Sequence, residues 1–144
     1  MIFSRACEYG IRAVLHLAAQ SEDRPILVRD IARALEIPFP FLAKVVQILT
    51  KQGLLVSRKG PGGGVVLARP TEELTLLQVV EAIDGLDLTR ACVLGIPECS
   101  DDEPCPLHEH WGEIREHIVD MLENQNIFQT MEQLRKRGWV LVRP

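Results

Sequence analysis

Apolar residues recur at helical spacing over three stretches of the first half of the chain. The pattern predicts helices over about residues 4–20, 28–36 and 39–52. Pro38 and Pro40 stand between the second and third stretches and favour a break followed by a new first turn, since proline suits the start of a helix and not its interior. Two short helices joined by a tight turn, the second amphipathic, are typical of a helix-turn-helix. The residues expected on the inner faces are Ala6, Gly10, Ala13, Val14, Leu17, Ile31, Ala32, Leu35, Leu42, Val45, Val46 and Leu49, whereas Phe41 is expected on the outer side of the third helix, with a core position as the alternative.

Two β-rich segments follow the third helix and enclose a glycine-rich loop. Residues 54–57 and 65–68 flank the run Arg58-Lys59-Gly60-Pro61-Gly62-Gly63-Gly64, which predicts a two-stranded hairpin. A nucleotide-binding phosphate loop is disfavoured, because no Gly-Lys-Ser/Thr follows and both flanks are β-like. A helix-turn-helix followed directly by a hairpin is a winged helix.

The second half of the chain predicts helices over residues 75–85, from about 107 onwards and over Ile127–Lys136, with a β-like tail at Trp139–Val142. No period holds between Asp87 and Pro104. The expected fold class is therefore mainly α with a small β-hairpin wing: a winged helix-turn-helix plus a long dimerisation helix. We expect three segments: a DNA-binding domain over 1–85, a cysteine-containing loop over 86–106, and a dimerisation helix with its C-terminal extension over 107–144.

The long helix carries an apolar stripe suited to pairing with a second copy of itself. We therefore expect a homodimer. The residues expected at its interface are Trp111, Ile114, Ile118 and Met121.

The charge of the chain is divided unevenly between its halves. The net charge is -4, yet residues 1–70 carry ten Lys/Arg against five Asp/Glu, whereas residues 71–144 carry six against fifteen. A basic N-terminal half can face the phosphates of double-stranded DNA while the acidic half faces away. No apolar run approaches the length of a membrane span and no signal peptide is recognised, so we expect a cytoplasmic DNA-binding protein that contacts no membrane. We expect neither enzymatic activity nor a small-molecule substrate.

The third helix and the glycine-rich loop are the candidate DNA interface. The first turn of a recognition helix reaches base edges in the major groove, and glycines let the backbone approach a phosphate closely. The alternatives are a surface helix with two buried phenylalanines and a hairpin turn with no binding role. The candidate contacts are Phe39, Pro40, Phe41, Lys44, Gln47, Arg58, Lys59, Gly60, Gly62 and Gly63.

Three cysteines and a histidine lie close together in the proline-bounded loop. Six residues separate Cys92 from Cys99, five separate Cys99 from Cys105, and two separate Cys105 from His108. Thiolates with an imidazole favour an iron–sulfur cluster, and structural zinc is the second choice because the spacing lacks the short pair of a zinc ribbon. A thiol–disulfide switch without metal is a further alternative. Cys7 lies on the apolar stripe of the first helix and is predicted to be a core residue.

Several of these segments together resemble the Rrf-type transcriptional regulators. The resemblance rests on Tyr9-Gly10-Ile11-Arg12-Ala13, on the paired short helices, on the run Lys59–Gly64, and on the cysteine loop that ends at His108 and is followed by Trp111. It covers nearly the whole chain and implies a homodimeric regulator with an iron–sulfur cluster that senses iron or cluster status, nitric oxide or redox state.

The resemblance also implies the ligands of that cluster. The three cysteines would be primary ligands. The fourth would be His108, as in IscR-like members, or Glu8 reaching from the other subunit, as in NsrR-like members; His108 is favoured. A 2Fe–2S cluster is favoured over a 4Fe–4S cluster.

Overall fold

The computed structural model describes residues 2–20, 24–139 and 141, and these form a mainly helical fold with one two-stranded antiparallel hairpin. This architecture confirms the predicted fold class. The third helix and the last helix begin where the sequence predicted, and the predicted strands are displaced by one residue. The elements are α1 (Arg5–Ala18), α2 (Val28–Leu35), α3 (Phe39–Lys51), β1 (Leu55–Arg58), β2 (Gly64–Leu67), a 3-10 turn (Thr71–Glu73), α4 (Leu76–Asp84), α5 (Asp87–Arg90), α6 (His108–Glu123) and α7 (Ile127–Lys136).

Helix α1 lies at the centre of the core and packs against α3, α4 and α7. Its predicted inner face is buried except for Ala6, which is half-buried. The Ser4 hydroxyl accepts a hydrogen bond from the backbone N–H of Cys7 at 3.0 Å, which caps the helix. Gly10 allows the closest approach: a Cβ at this position would meet Ile83 Cδ1 and would lie 3.3 Å from Val45 Cγ1. A side chain larger than hydrogen would therefore require the end of the Ile83 side chain, and to a smaller extent Val45, to move.

The turn between α2 and α3 completes the helix-turn-helix. Glu36 ends α2 in the left-handed conformation, with φ 53°, and the next residue, Ile37, is buried in the core. On α3, the four residues expected inside are buried, and Phe41 is 62 % exposed, which agrees with its expected outer position and contradicts the alternative of a core position.

The hairpin pairs Leu55 with Leu67 at its base and Arg58 with Gly64 near its tip. Ile26, in the connection between α1 and α2, adds a single bridge to this sheet: its N–H donates to Val65 O at 3.1 Å, and its carbonyl accepts from Val65 N–H at 2.9 Å. Gly64 is required here, since a Cβ would collide with the backbone of Ile26. This bridge, which the sequence did not indicate, ties the wing to the helical core.

Helix α6 is joined to the core by a small second cluster. Cys7, Val80 and Leu122 are buried together, and Ile118 packs against them. Cys7 is fully buried, which confirms its predicted core position, and burial together with Asp84 raises the pKa of its thiol to about 12. The carboxylate of Asp84 also accepts hydrogen bonds from the backbone N–H of Ser4, at 2.8 Å, and from the Ser4 hydroxyl, so the end of α4 holds the start of α1.

Helix α7 returns to the N-terminal core. Asn126 caps it, Ile127 is fully buried in the main cluster, and the N–H of Ile127 donates to Leu74 O at 2.8 Å. The predicted division into three segments stays a prediction, but the last helix shares the core of the first. The predicted β-like tail falls largely outside the described residues. Within the described part of the chain, no helix combines the length and apolar character needed to cross a membrane.

Between α5 and α6 the chain follows a series of turns. The sequence did not indicate α5, a single helical turn in which the N–H of Ala91 donates to Asp87 O at 2.7 Å. Four residues are too few to show a helical period, so this element was not predicted.

Candidate metal centre and nucleic-acid interface

Turns of the loop between α5 and α6 bring its three cysteines together. The N–H of Gly95 donates to Cys92 O, that of Cys99 to Ile96 O, and that of His108 to Cys105 O, at 3.0, 3.3 and 3.0 Å. Gly95 takes a left-handed conformation, with φ 69°, that closes the first turn. Each cysteine thus begins or ends a tight turn, and the three side chains face one another.

The three thiols form one compact group. The Sγ atoms of Cys92, Cys99 and Cys105 all lie within 4.8 Å of one another, and all three residues are half-buried. The Sγ atoms of Cys92 and Cys105 lie 3.7 Å apart. The backbone N–H of Cys105 also donates to Cys99 Sγ at 3.5 Å.

His108, the first residue of α6, adds a nitrogen donor to this group. Its Nδ1 lies 3.1 Å from Cys99 Sγ, while its Nε2 lies 2.9 Å from Asp101 Oδ1. An ionised carboxylate only accepts hydrogen bonds, so Nε2 donates to Asp101, and Nδ1 is the ring nitrogen that faces the thiols. A histidine held in this way is prepared to bind a metal through Nδ1.

The thiols differ in acidity. Hydrogen bonds from the backbone of Ile96 and then of Leu94 lower the pKa of Cys92 to about 7, helped by the thiols of Cys105 and Cys99 and opposed by burial. At Cys99 a hydrogen bond from the Cys105 backbone acts downward, but burial and the two neighbouring thiols outweigh it and raise the pKa. Near neutral pH, Cys92 is therefore the more readily ionised of these two cysteines.

A cleft of about 350 Å³ opens onto the cysteines and His108. Arg90, Trp111 and Arg115 line the same cleft. The indole N–H of Trp111 donates to Ala91 O at 2.9 Å and thus joins α6 to the end of α5. Glu8, the alternative fourth ligand, is half-buried in the first turn of α1 and is not among the residues that line the cleft.

The structure separates the predicted dimer stripe on α6 into two pairs. Trp111 and Ile118 have partners within the chain, at Ala91 O and in the Cys7 cluster respectively. Ile114 and Met121 are 49 % and 56 % exposed. Their assignment to a dimer interface stays a prediction, and it now depends on the exposed pair.

The predicted DNA-contacting residues on α3 and in the wing are exposed, except for the half-buried Gly63. Phe39 and Phe41 are 41 % and 62 % exposed, which contradicts the alternative of two buried phenylalanines. A groove of about 460 Å³ runs between the starts of α2 and α3 and the wing. The predicted residues that line it are Phe39, Arg58, Gly60 and Gly63, whereas Pro40, Phe41, Lys44, Gln47, Lys59 and Gly62 are exposed on α3 or the wing outside its lining.

Arg29, which the sequence analysis missed, also lines this groove. Its guanidinium lies over the ring of Phe39, 5.5 Å from the ring centroid. The sequence shows that Arg29 is charged, but not that it packs on Phe39 across the helix-turn-helix.

A protein-family model described as "Rrf2: Iron-dependent Transcriptional regulator" matches residues 3–133. The chain belongs to the Rrf2 family. This confirms the resemblance found in the sequence.

Named relatives of this Rrf2 protein are regulators. An Aquifex aeolicus protein, whose assigned name is that of an HTH-type transcriptional regulator, is 36 % identical over 129 residues, covering 88 % of this chain and 89 % of its own length. The HTH-type transcriptional regulator IscR of Pectobacterium atrosepticum is 32 % identical over 117 residues, covering 81 % of this chain and 70 % of its own length. The prediction of a transcriptional regulator rather than an enzyme is therefore confirmed.

Solved structures share the fold of this Rrf2 protein. CymR, described as the global cysteine regulator of B. subtilis, superimposes with a TM-score of 0.78 at 21 % identity, covering 91 % of this chain and 96 % of CymR. IscR of T. potens superimposes with a TM-score of 0.73 at 20 % identity, covering 95 % of this chain and 90 % of that protein. The winged-helix architecture is therefore shared by a cysteine regulator and by an IscR.

Proposed function

We propose that this Rrf2-family regulator is IscR-like and binds an iron–sulfur cluster whose state controls DNA binding. Cys92, Cys99 and Cys105 would hold the cluster, with His108 as the fourth ligand. When bound, such a cluster supplies a centre that can be gained, lost or reduced in response to iron supply, nitric oxide or oxidants. The chain's own contribution is to hold four donors in a preformed arrangement next to α6.

One observation carries this proposal: the donors fall into two close pairs. Cys92 and Cys105 are 3.7 Å apart, and Cys99 and His108 are 3.1 Å apart. Two sulfurs bound tetrahedrally to one metal ion at about 2.3 Å lie about 3.8 Å apart, close to the first separation. Two pairs of ligands suit the two irons of a 2Fe–2S cluster, and because Cys99 Sγ also lies within 4.8 Å of both other sulfurs, the competing arrangement is a single tetrahedral metal ion. A 4Fe–4S cluster binds each ligand to a different iron and so needs wider spacing.

The deciding experiment is anaerobic purification of the full chain, followed by absorption spectroscopy and assays of iron and labile sulfide. We expect coloured protein with charge-transfer bands and roughly equal iron and sulfide. Alanine at Cys92, Cys99 or Cys105 should abolish the colour, whereas the buried Cys7→Ala serves as the matched control and should retain it.

The fourth ligand is tested by two further variants. His108→Ala should retune or weaken the absorption, while Glu8→Ala should leave it unchanged. The reverse result would place the fourth ligand on α1. Colourless protein with stoichiometric zinc, purified from cells that assemble clusters, would exclude the cluster proposal.

The second candidate function is a thiol–disulfide switch, which the 3.7 Å separation of Cys92 and Cys105 also favours. A structure of Staphylococcus aureus CymR, 24 % identical and sharing the fold, is described as an oxidised form. For this chain, mass spectrometry of cluster-free protein after peroxide treatment would show a loss of two hydrogens in a peptide pair containing Cys92 and Cys105. Such a disulfide in protein that never acquires iron would favour the switch.

We propose that the exposed face of α3 and the wing bind DNA, as the Rrf2 family does. We also propose that two protomers form a dimer by contact between their α6 helices. Ile114→Glu should split the dimer without unfolding it, because Ile114 is half-exposed within the protomer. Ile118→Glu should unfold the chain as well, since Ile118 packs on Cys7, Val80 and Leu122. Sedimentation of an intact Ile114→Glu dimer would contradict this interface.

A further inference from the structure

The wall of the cysteine cleft contributed by α6 contains a buried donor without an acceptor. Among the buried side-chain nitrogens and oxygens of the described residues, Nε of Arg115 is the one that has no hydrogen-bond partner. Another nitrogen of the same guanidinium, NH1, makes a long contact of 3.5 Å to Ala91 O. Buried polar groups are nearly always paired, so an unpaired donor in a cleft wall points to an acceptor that comes from outside the chain.

The charges of the cleft agree with this reading. Arg115 lines it together with the three cysteines, and Arg90 adds a second, exposed cation. Thiolates that hold a metal group carry negative charge, and the one carboxylate in the lining, that of Asp101, is paired with His108. A guanidinium is always charged and keeps its donors in a fixed plane. The wall of the cleft that α6 contributes therefore suits a group that is negatively charged and accepts hydrogen bonds through sulfur.

We infer that Arg115 is a tuning residue of the cysteine site, supplying a positive charge and a free N–H donor to the group that the cysteines hold, and so raising its reduction potential. The inference rests on the proposed cluster function. Reduction adds one negative charge to the bound group, and a nearby cation stabilises the more negative form. Hydrogen bonds to the sulfurs act in the same direction.

The test compares Arg115→Met and Arg115→Lys with the wild-type full chain, all purified anaerobically. Arg115→Met keeps much of the length of the side chain and removes its charge and donors, whereas Arg115→Lys keeps the charge without the planar guanidinium. Lys136→Met is the matched control, because it also removes one cation but does not line the cleft. Iron and labile sulfide are assayed first, and the midpoint potential is then measured by redox titration followed by absorption.

We expect Arg115→Met to retain iron and sulfide and to shift the midpoint to a more negative potential. A tenfold change in the equilibrium between oxidised and reduced forms, about 59 mV for a one-electron couple, is the expected order of magnitude. Arg115→Lys should shift less and Lys136→Met not at all. If Arg115→Met fails to retain the cluster, the midpoint potential of Arg115→Lys is compared with that of the wild type instead, and it should be more negative.

An unchanged midpoint in Arg115→Met, or in Arg115→Lys where that variant decides, would overturn the inference and leave the cluster proposal intact. An equal shift in Lys136→Met would show a general charge effect and would overturn it too. A wild-type chain without iron and sulfide would overturn both proposals together, so the two failures are distinguishable. Thermal unfolding followed by circular dichroism separates a change of potential from a loss of fold.

Discussion

Removing one lysine from the wing should change how strongly salt weakens DNA binding. Lys59 is exposed in the glycine-rich loop, next to Arg58 at the end of β1, and Lys44 is exposed on α3. If each contacts a phosphate, its positive charge displaces counterions from the DNA, and each contact contributes to the slope of affinity against salt concentration. We expect Lys59→Ala and Lys44→Ala each to remove one such contact per bound protomer.

The size of the effect follows from the counterion argument. One phosphate contact contributes about 0.9 to the logarithmic slope, so raising salt from about 50 to about 200 mM weakens binding about 3.5-fold for each contact. The weakening of DNA binding over that salt range should therefore be smaller in each lysine variant than in the wild type. The difference should be about 3.5-fold if one protomer binds the duplex and about 12-fold if two protomers bind it together.

Fluorescence anisotropy with a labelled duplex of random sequence measures this quantity. A random duplex isolates the sequence-independent contacts, so the natural operator is not needed. Lys136→Ala is the matched control, since Lys136 is exposed on α7 and faces Glu132 at 3.7 Å. Slopes unchanged in both Lys59→Ala and Lys44→Ala, or reduced equally in Lys136→Ala, would refute the assignment of α3 and the wing as the DNA-binding face.

The remaining predictions concern the thiols and the packing of the helices. In metal-free protein, alkylation of Cys92 by iodoacetamide should accelerate as pH rises through about 7, because the thiolate is the reactive form, while buried Cys7 should stay unmodified. Mass spectrometry after timed labelling checks both, and alkylation of Cys7 as fast as that of Cys92 would contradict the prediction. Glu36→Asn should raise the free energy of unfolding, measured by urea titration, by about 0.5 kcal/mol, because asparagine tolerates the left-handed conformation better than glutamate does. A free energy of unfolding no higher than that of the wild type would show that the turn is unstrained. Gly10→Ala should lower the free energy of unfolding by about 1 kcal/mol, because the cost of overpacking against Ile83 exceeds the gain in helix propensity. Adding Ile83→Val to the same chain should restore part of the lost free energy of unfolding.

The long-range contacts explain which parts of the candidate site could be predicted. The cysteine spacing alone indicated that Cys92, Cys99, Cys105 and His108 belong together, because all four lie within one short segment of the chain. Arg115 could not be added in the same way. Its spacing from Trp111 shows only that both lie on one helical face, and nothing in that pattern says that this face borders the cysteine loop.

The sequence by itself determined the longer helices, the hairpin and their order, but not the single helical turn α5. A period of 3.6 or 2 residues follows directly from local backbone geometry, so the apolar spacing was sufficient to predict the helix-turn-helix, the hairpin and the final helix Ile127–Lys136. Only the tertiary structure decided which residues face which partner. Phe41 is exposed, Ile118 packs within the chain, and Ile26 bridges to the wing, because these contacts join segments whose relative placement is set by the packing of the whole core. Periodicity shows which residues share a face of a helix, whereas the neighbour that covers the face comes from elsewhere in the chain.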